Sequence, residues 1–244
     1  MFEIRGAPEG CAGRRRAGGC ATCQARPFSV CASVSDADLA RLDSLAETVT
    51  LAPGEALFHE GDEVRFVYNV TSGSARVCRL LPDGRRQITG FVFAGDFIGL
   101  DAGDVQAASV EALEPATVCR FRRSEYRTLM AERRELEAAL LDRAGHELAA
   151  AREQMVLLGC KTALERVASF LQGLPQADPM RPGPEGMVRL PMTRGEIADY
   201  LGLTLETVSR CFSKLRRSGV LRQVSLNEVR VEKPDTLAVI AEGG

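Results

Sequence analysis

The chain has 244 residues, 45% of them hydrophobic, with 31 Lys and Arg against 33 Asp and Glu and a formal net charge of -2. That length suits two compact domains of ordinary size or one large one. The charge balance excludes a generally basic nucleic-acid coat, so any affinity for nucleic acid would have to come from a local patch.

No apolar run approaches the ~18 residues of a membrane span. The arginine run Arg14 to Arg16 lacks the apolar stretch of a signal peptide. A soluble, cytoplasmic protein with no membrane partner is expected, and its eight cysteines are then thiols, buried residues or ligands, not a disulfide framework.

Residues 1–33 are rich in Gly and Arg, show no helix or strand periodicity and cannot form a core alone. Cys20-x2-Cys23 is spaced to bite one metal centre, and Cys31 adds a third thiolate after a Pro-kinked loop. Three such thiolates need a fourth ligand. The soft donor set suits zinc or an iron-sulfur cluster, and spacing alone does not choose between them. Arg14, Arg15, Arg16 and Arg26 have the sign to offset thiolate charge, although such runs are commonly just solvated. Cys11 reads as a spare thiol, with replacement of Cys20 as its other role. Cys78, Cys160 and Cys211 lie in apolar or periodic stretches and read as core.

Residues 34–123 are expected as a sensor domain. Ser35-Asp36-x-Asp38 opens a short helix that ends before Leu51. Short alternating segments follow at EALFHEG, FVYNVTSG, SARVCRL, QITGFVF and ATVCRFR, separated by turn dipeptides such as Pro53-Gly54, Ser72-Gly73 and Asp83-Gly84. That spacing predicts an antiparallel β-roll or barrel. His59 is expected on a strand and His146 in a charged helix, both structural. No nucleophile-base set or phosphate-cradling glycine loop stands out, so an enzyme is not expected.

Residues 124–160 contain no proline and are expected as one long helix. Leu136, Leu140, Ala144, Leu148, Ala151, Met155 and Leu158 recur at steps of three and four, a narrow seam flanked by Glu and Arg. A narrow seam predicts a two-stranded coiled coil and hence a homodimer, whereas packing on its own domain would want a wider stripe. The alanines at 149 to 151 make that association marginal.

Residues 161–244 close the chain. KTALERVASFLQGL reads as an amphipathic helix, PQADPMRPGPEG as a loop and VRLP as a short strand. Thr193 with Glu196 has capping-box spacing, Ile197, Ala198 and Leu201 form one stripe, and Gly202 stops that helix. Thr204 caps a second helix whose buried face is Val208, Cys211, Phe212 and Leu215. Its opposite face carries Glu206, Ser209, Arg210 and Ser213, then Lys214, Arg216 and Arg217. Any solvated helix shows polar residues opposite an apolar stripe. Two helices at helix-turn-helix spacing and a basic face favour double-stranded DNA, read by the first group and held at phosphates by Lys214, Arg216 and Arg217. VLRQVSLNEVRVEK alternates around a turn and predicts a β-hairpin wing with Arg222 and Arg230 as further phosphate candidates.

GLTLETVSR resembles the recognition-helix signature of the FNR branch of the FNR/CRP transcription regulators. The cyclic-AMP branch has Gly where this chain has Ser209. The resemblance implies an α+β chain: a cyclic-nucleotide-binding-like antiparallel β-roll, a dimerisation helix and a C-terminal winged helix-turn-helix. Glu206, Ser209 and Arg210 would then read TTGAT-N4-ATCAA palindromes. It also implies that Cys20, Cys23, Cys31 and a distant cysteine, here Cys119 after an Ala-Leu-Glu run, hold an oxygen-labile four-iron four-sulfur (4Fe-4S) cluster. Zinc with the same thiolates, or response to nitric oxide at the cluster, are the alternatives. The Cys23–Cys31 gap is longer than in enterobacterial members. GDFIGLDAGDVQAASVEAL lacks the Arg and Glu that grip a cyclic phosphate in nucleotide-binding members, so no cyclic nucleotide is expected. The turn from Pro82 to Arg86 matches the loop by which relatives touch RNA polymerase, and equally reads as a plain hairpin turn.

Overall fold

The computed structural model describes residues 19–100, 103–178, 180–181 and 183–244. Cys11 and Arg14 to Arg16, singled out above, lie outside the described residues. The N-terminal cysteine segment, expected to be irregular, forms three short 3-10 turns over Cys20–Thr22, Arg26–Phe28 and Val30–Ser33. They are held from outside the segment: Arg26 donates to the Val34 carbonyl and to Asp36, both at 3.0 Å.

Helix α1 covers Asp36–Leu45, capped by the Ser35 hydroxyl, which accepts from the Asp38 N–H at 3.2 Å. It ends before Leu51, as expected. Glu47–Leu51 is strand β1, because its β-branched ETVTL sequence pairs with a distant strand, from Glu47↔Arg120 to Leu51↔Ala116. The strands that follow are β2 (Ala56–Phe58), β3 (Phe66–Ser72), β4 (Ser74–Leu80), β5 (Arg86–Phe93), β6 (Phe97–Ile98), β7 (Ser109–Ala112) and β8 (Ala116–Arg122). They form two four-stranded antiparallel sheets in the orders β1-β8-β3-β6 and β2-β7-β4-β5. Tyr68, Val70, Val118 and Ala112 fill the space between them. The alternate residues of β3 and β8, among them Val67, Asn69, Cys119 and Phe121, face outward to a second core. His59 lies in a turn and is exposed, not on a strand.

The expected single long helix is broken. Helix α2 runs Arg123–Glu132 and helix α3 Arg134–Cys160, with Arg133 extended between them (φ -133°, ψ 96°). The break is fixed by α1: Arg133 pairs with Asp38 at 2.6 Å and Glu132 with Arg41. Beyond it α3 continues for 27 residues, about 40 Å of helix.

The break also resolves the apolar seam into two faces. Leu136 and Leu140 are buried against Val30, Cys31, Val34 and Tyr126 of the same chain. Leu141, Leu148 and Met155 are 74%, 54% and 72% exposed. Spaced by seven and interleaved with Ala144, Ala151 and Leu158, they form an exposed stripe at the heptad spacing of a two-stranded seam, whereas Leu136 and Leu140 pack inside their own chain. Cys160, expected as core, is exposed at the end of α3, whereas Cys78 and Cys211 are buried.

Helix α4 (Ala163–Ala177) runs one turn past the expected end and includes Pro175, which forfeits one hydrogen bond only in the last turn. Strand β9 (Met187–Arg189), helices α5 (Arg194–Leu201) and α6 (Leu205–Arg217), strands β10 (Leu221–Ser225) and β11 (Glu228–Val231), and helix α7 (Pro234–Ala241) complete the chain. The small sheet has the order β10-β11-β9. Val167, Leu171, Ile197, Leu201, Val208, Phe212, Leu215 and Leu237 share one core with Phe93 of the roll.

Candidate DNA-reading surface and thiol cavity

Two places gather the candidate residues. The first is α6 and its surroundings. Thr193 accepts from the Glu196 N–H at 3.2 Å while the Glu196 carboxylate accepts from the Thr193 N–H at 2.6 Å, so the capping box forms as spaced. Gly202 ends α5 with φ 62° and ψ 40°, a left-handed conformation that a side chain would strain. The turn therefore aims α6 outward, with Val208, Cys211, Phe212 and Leu215 inward.

Glu206, Ser209, Arg210, Lys214 and Arg217 are exposed on the opposite side and Ser213 is half-buried beside them. Its own backbone N–H and the Thr204 hydroxyl hold the Glu206 carboxyl below its usual range, so it is an ionised acceptor near neutral pH. Arg210 and Arg217 each donate to a helix carbonyl, that of Glu206 and that of Ser213, at 3.4 Å. Their guanidinium groups are left pointing outward, as a groove-reading face requires. Arg222 is engaged by Glu232 at 2.5 Å. Sequence reasoning passed over Arg194, which lies on the Phe212 ring 3.4 Å from its centroid. Burial and nearby Arg216 pull it down to about 10.

The second place is a cavity of about 80 Å³ on the outer face of the β1-β8-β3-β6 sheet. Cys20, Cys23, Cys31 and Cys119 all line it, with Arg26, Asp43, Thr48, Asn69, Thr71 and Phe121. The topology explains the convergence. Cys119 on β8 is the cross-strand partner of Thr48 and of Asn69, so three side chains point to one side of the sheet. The 3-10 turns lay the other three cysteines over it. Asp43 of α1 anchors Cys20 by accepting from its N–H at 2.8 Å, and a Cβ on Gly19 would meet the same carboxylate at 2.9 Å.

All seven described cysteines are reduced. Burial, then the neighbouring Asp43, raises the Cys20 thiol. Burial pushes Cys31 up to about 11, partly offset by the hydrogen bond from Ser29. Among the described residues no three His, Cys, Asp or Glu side chains close on a single ion. The four thiols instead surround a volume.

Part-buried polar contacts that the sequence did not signal join the β2-β7-β4-β5 sheet of the roll to helix α5. Arg76 of β4 pairs with Glu111 at 2.5 Å and with Glu196 of the α5 capping box. Arg86 donates twice to Asp199, at 2.7 and 3.0 Å, and Gln87 donates to the Asp199 carbonyl at 2.7 Å. Phe91, Phe170 and Tyr200 stack beside them, with centroids 5.2 to 6.1 Å apart. Arg166 links helix ends, donating to the carbonyls of Leu158 and Leu201 at 2.8 and 3.0 Å.

A two-sheeted roll, a long connecting helix and a winged helix-turn-helix with an outward basic face define a DNA-binding transcription regulator. Residues 48–133 match the cyclic nucleotide-binding domain family and residues 165–240 the Crp-like helix-turn-helix domain family. The chain is 42% identical to a nitrogen fixation regulation protein FixK of Bradyrhizobium diazoefficiens, over 83% of this chain and 85% of the relative. It is 32% identical to a fumarate and nitrate reduction regulatory protein of Salmonella typhimurium, over 93% of this chain and 94% of that one. The solved structure of FixK2 from Bradyrhizobium japonicum superposes with a TM-score of 0.75 at 35% identity, over 80% of this chain and 96% of that chain. The chain belongs to the Crp/Fnr family, a dimeric family of DNA-binding transcription regulators that are not enzymes. Among the described residues no helix is long and apolar enough to cross a membrane.

Arg76 is 15% exposed and Glu196 9%. Arg76→Ala leaves two carboxylates without their cation and is expected to lower stability by about 3–5 kcal/mol, measured by urea unfolding. Adding Glu196→Gln should recover part of the loss. A cost below about 1 kcal/mol would mean the contact contributes no more than a surface pair.

Proposed function

We propose that this protein is an oxygen- or redox-responsive regulator in which thiolate ligation in the cavity controls dimerisation and reading of TTGAT-N4-ATCAA palindromes. The observation that carries the reading is the convergence of Cys20, Cys23, Cys31 and Cys119 on one cavity, although 98 residues of chain lie between Cys20 and Cys119. The donor set is four soft sulfurs around a volume. A four-iron cluster offers one iron to each cysteine, whereas a tetrahedral zinc site would draw all four sulfurs to a single point.

Such a group supplies, when bound, an oxygen-labile cross-link between four points of the chain. The protein's own residues do the rest. Cys31 belongs to the turn whose Val30 and Val34 press on Leu136 and Leu140, so fixing Cys31 fixes the start of α3. Helix α1 holds both sides, with Asp43 on Cys20 and Asp38 on Arg133. An ordered α3 presents Leu141, Leu148 and Met155 to a second copy. Gln154, which donates to the Tyr200 carbonyl at 3.1 Å, and Arg166 carry the orientation of α3 to α5. Two α6 helices are then set one DNA turn apart, the spacing a palindrome requires. The turn from Pro82 to Arg86, preceded by exposed Leu80 and Leu81, is the surface for RNA polymerase. Boundaries near residues 33, 123 and 160 divide these tasks.

Protein purified without oxygen is expected to carry about four irons and four acid-labile sulfides per chain. Serine at Cys20, Cys23, Cys31 or Cys119 should abolish uptake, and serine at Cys78 or Cys211 should not. Bound zinc without sulfide contradicts the reading.

On the DNA side, Arg210→Ala is expected to cost about 1–3 kcal/mol and to relax discrimination at one position of the half-site. Lys214→Ala should weaken all sequences alike and flatten the salt dependence, as titration at several salt concentrations would measure. Equal losses on specific and random DNA for Arg210→Ala contradict its role as a base reader.

A further inference from the structure

Asn69 is a poor choice for a core position. Its side chain is 5% exposed on β3, among apolar neighbours that include Val67, Phe97 and Phe121. Its Oδ1 has no hydrogen-bond partner, which costs about 1–3 kcal/mol for a buried amide. Its Nδ2 donates to the Cys31 sulfur at 3.0 Å, and its cross-strand partner is Cys119. It therefore bonds one of the four cavity cysteines and sits directly across the ladder from a second.

A protonated sulfur can donate as well as accept, so the amide could face it either way. A ligating thiolate only accepts, and then only the Nδ2 edge can face it. The observed orientation is the one a metal-bound Cys31 requires.

From this geometry we infer that Asn69 is a tuning and positioning residue of the thiolate site, acting through its N–H bond to the Cys31 sulfur. The inference builds on the cavity holding an iron-sulfur cluster. Donation to a ligating sulfur draws electron density from the centre, so the hydrogen bond makes loss of an electron harder and raises the reduction potential. Dioxygen is the oxidant that accepts this electron when the protein meets air. Asn69 thereby sets how much oxygen the regulator tolerates before it responds. Thr71 lines the same cavity, but its hydroxyl is committed to the Thr117 carbonyl at 3.0 Å, which makes it a reference position.

The test compares wild type, Asn69→Leu, Asn69→Asp and Thr71→Val, each loaded without oxygen and assayed for iron and sulfide. Leucine keeps the volume and removes the donor. Aspartate keeps the shape and replaces the donor with an acceptor. The midpoint potential is expected to fall in both Asn69 variants and to hold in Thr71→Val. Visible absorbance in air-saturated buffer should decay about tenfold faster in the Asn69 variants, the low end of what losing the partner of a metal ligand costs. A variant that melts like wild type when iron-free, yet takes up no iron, would show that the site requires this amide. Loaded Asn69 variants with wild-type potential and decay overturn the inference while leaving the cluster reading intact. Wild-type protein that takes up no iron and sulfide overturns both.

Discussion

The structure depends on how a short segment without a core of its own is pressed against the start of a long helix. Residues 20–34 form only 3-10 turns, yet Val30, Cys31 and Val34 are buried with Leu136 and Leu140. Burying such side chains contributes about 1.5–3 kcal/mol each at most. Against this stands the cost of ordering a dozen residues at about 1–2 kcal/mol each. Apolar contact alone is too small to hold the segment firmly, so a four-point sulfur cross-link would decide whether it stays.

From that contact the effect passes through rigid parts. Helix α1 grips Cys20 at one end through Asp43 and the α2–α3 break at the other through Asp38 and Arg41. In the proposed reading the seam beyond the break, rich in alanine, would pair two copies weakly, so that a small change in the order of α3 would move the monomer–dimer balance. At the far end the carbonyls of Leu158 and Leu201 share one guanidinium, that of Arg166. The reading heads are therefore set by the helix, and also by the roll through Arg76, Arg86 and Phe91.

The parts legible in the sequence were those with local causes. The capping box at Thr193, the left-handed stop at Gly202 and the three-four spacing from Val208 to Leu215 each act within a few residues, and each appears where it was expected. Strand β1 was missed because ETVTL follows α1 with no glycine or proline between them and becomes a strand only by pairing with β8. The break at Arg133 was missed for a similar reason: nothing in AERREL stops a helix, and the ion pairs that fix it come from α1. Helix α7 gave too short a pattern to stand out. The seam was misframed by one helical face, since Leu136 and Leu140 share its periodicity while packing inside their own chain. Cys119 was suggested only by resemblance, because nothing in its strand distinguishes it from a core cysteine. Arg76, Asn69 and Asp43 were invisible as site residues, since each gains its role across more than twenty residues of chain.

The direct test of the account is the mass of the protein by sedimentation velocity, without oxygen and again after exposure to air, at the same concentration. The account expects a dimer that falls toward the monomer as the visible colour is lost. Equal masses in the two conditions, in a preparation whose iron has demonstrably been lost, would contradict it.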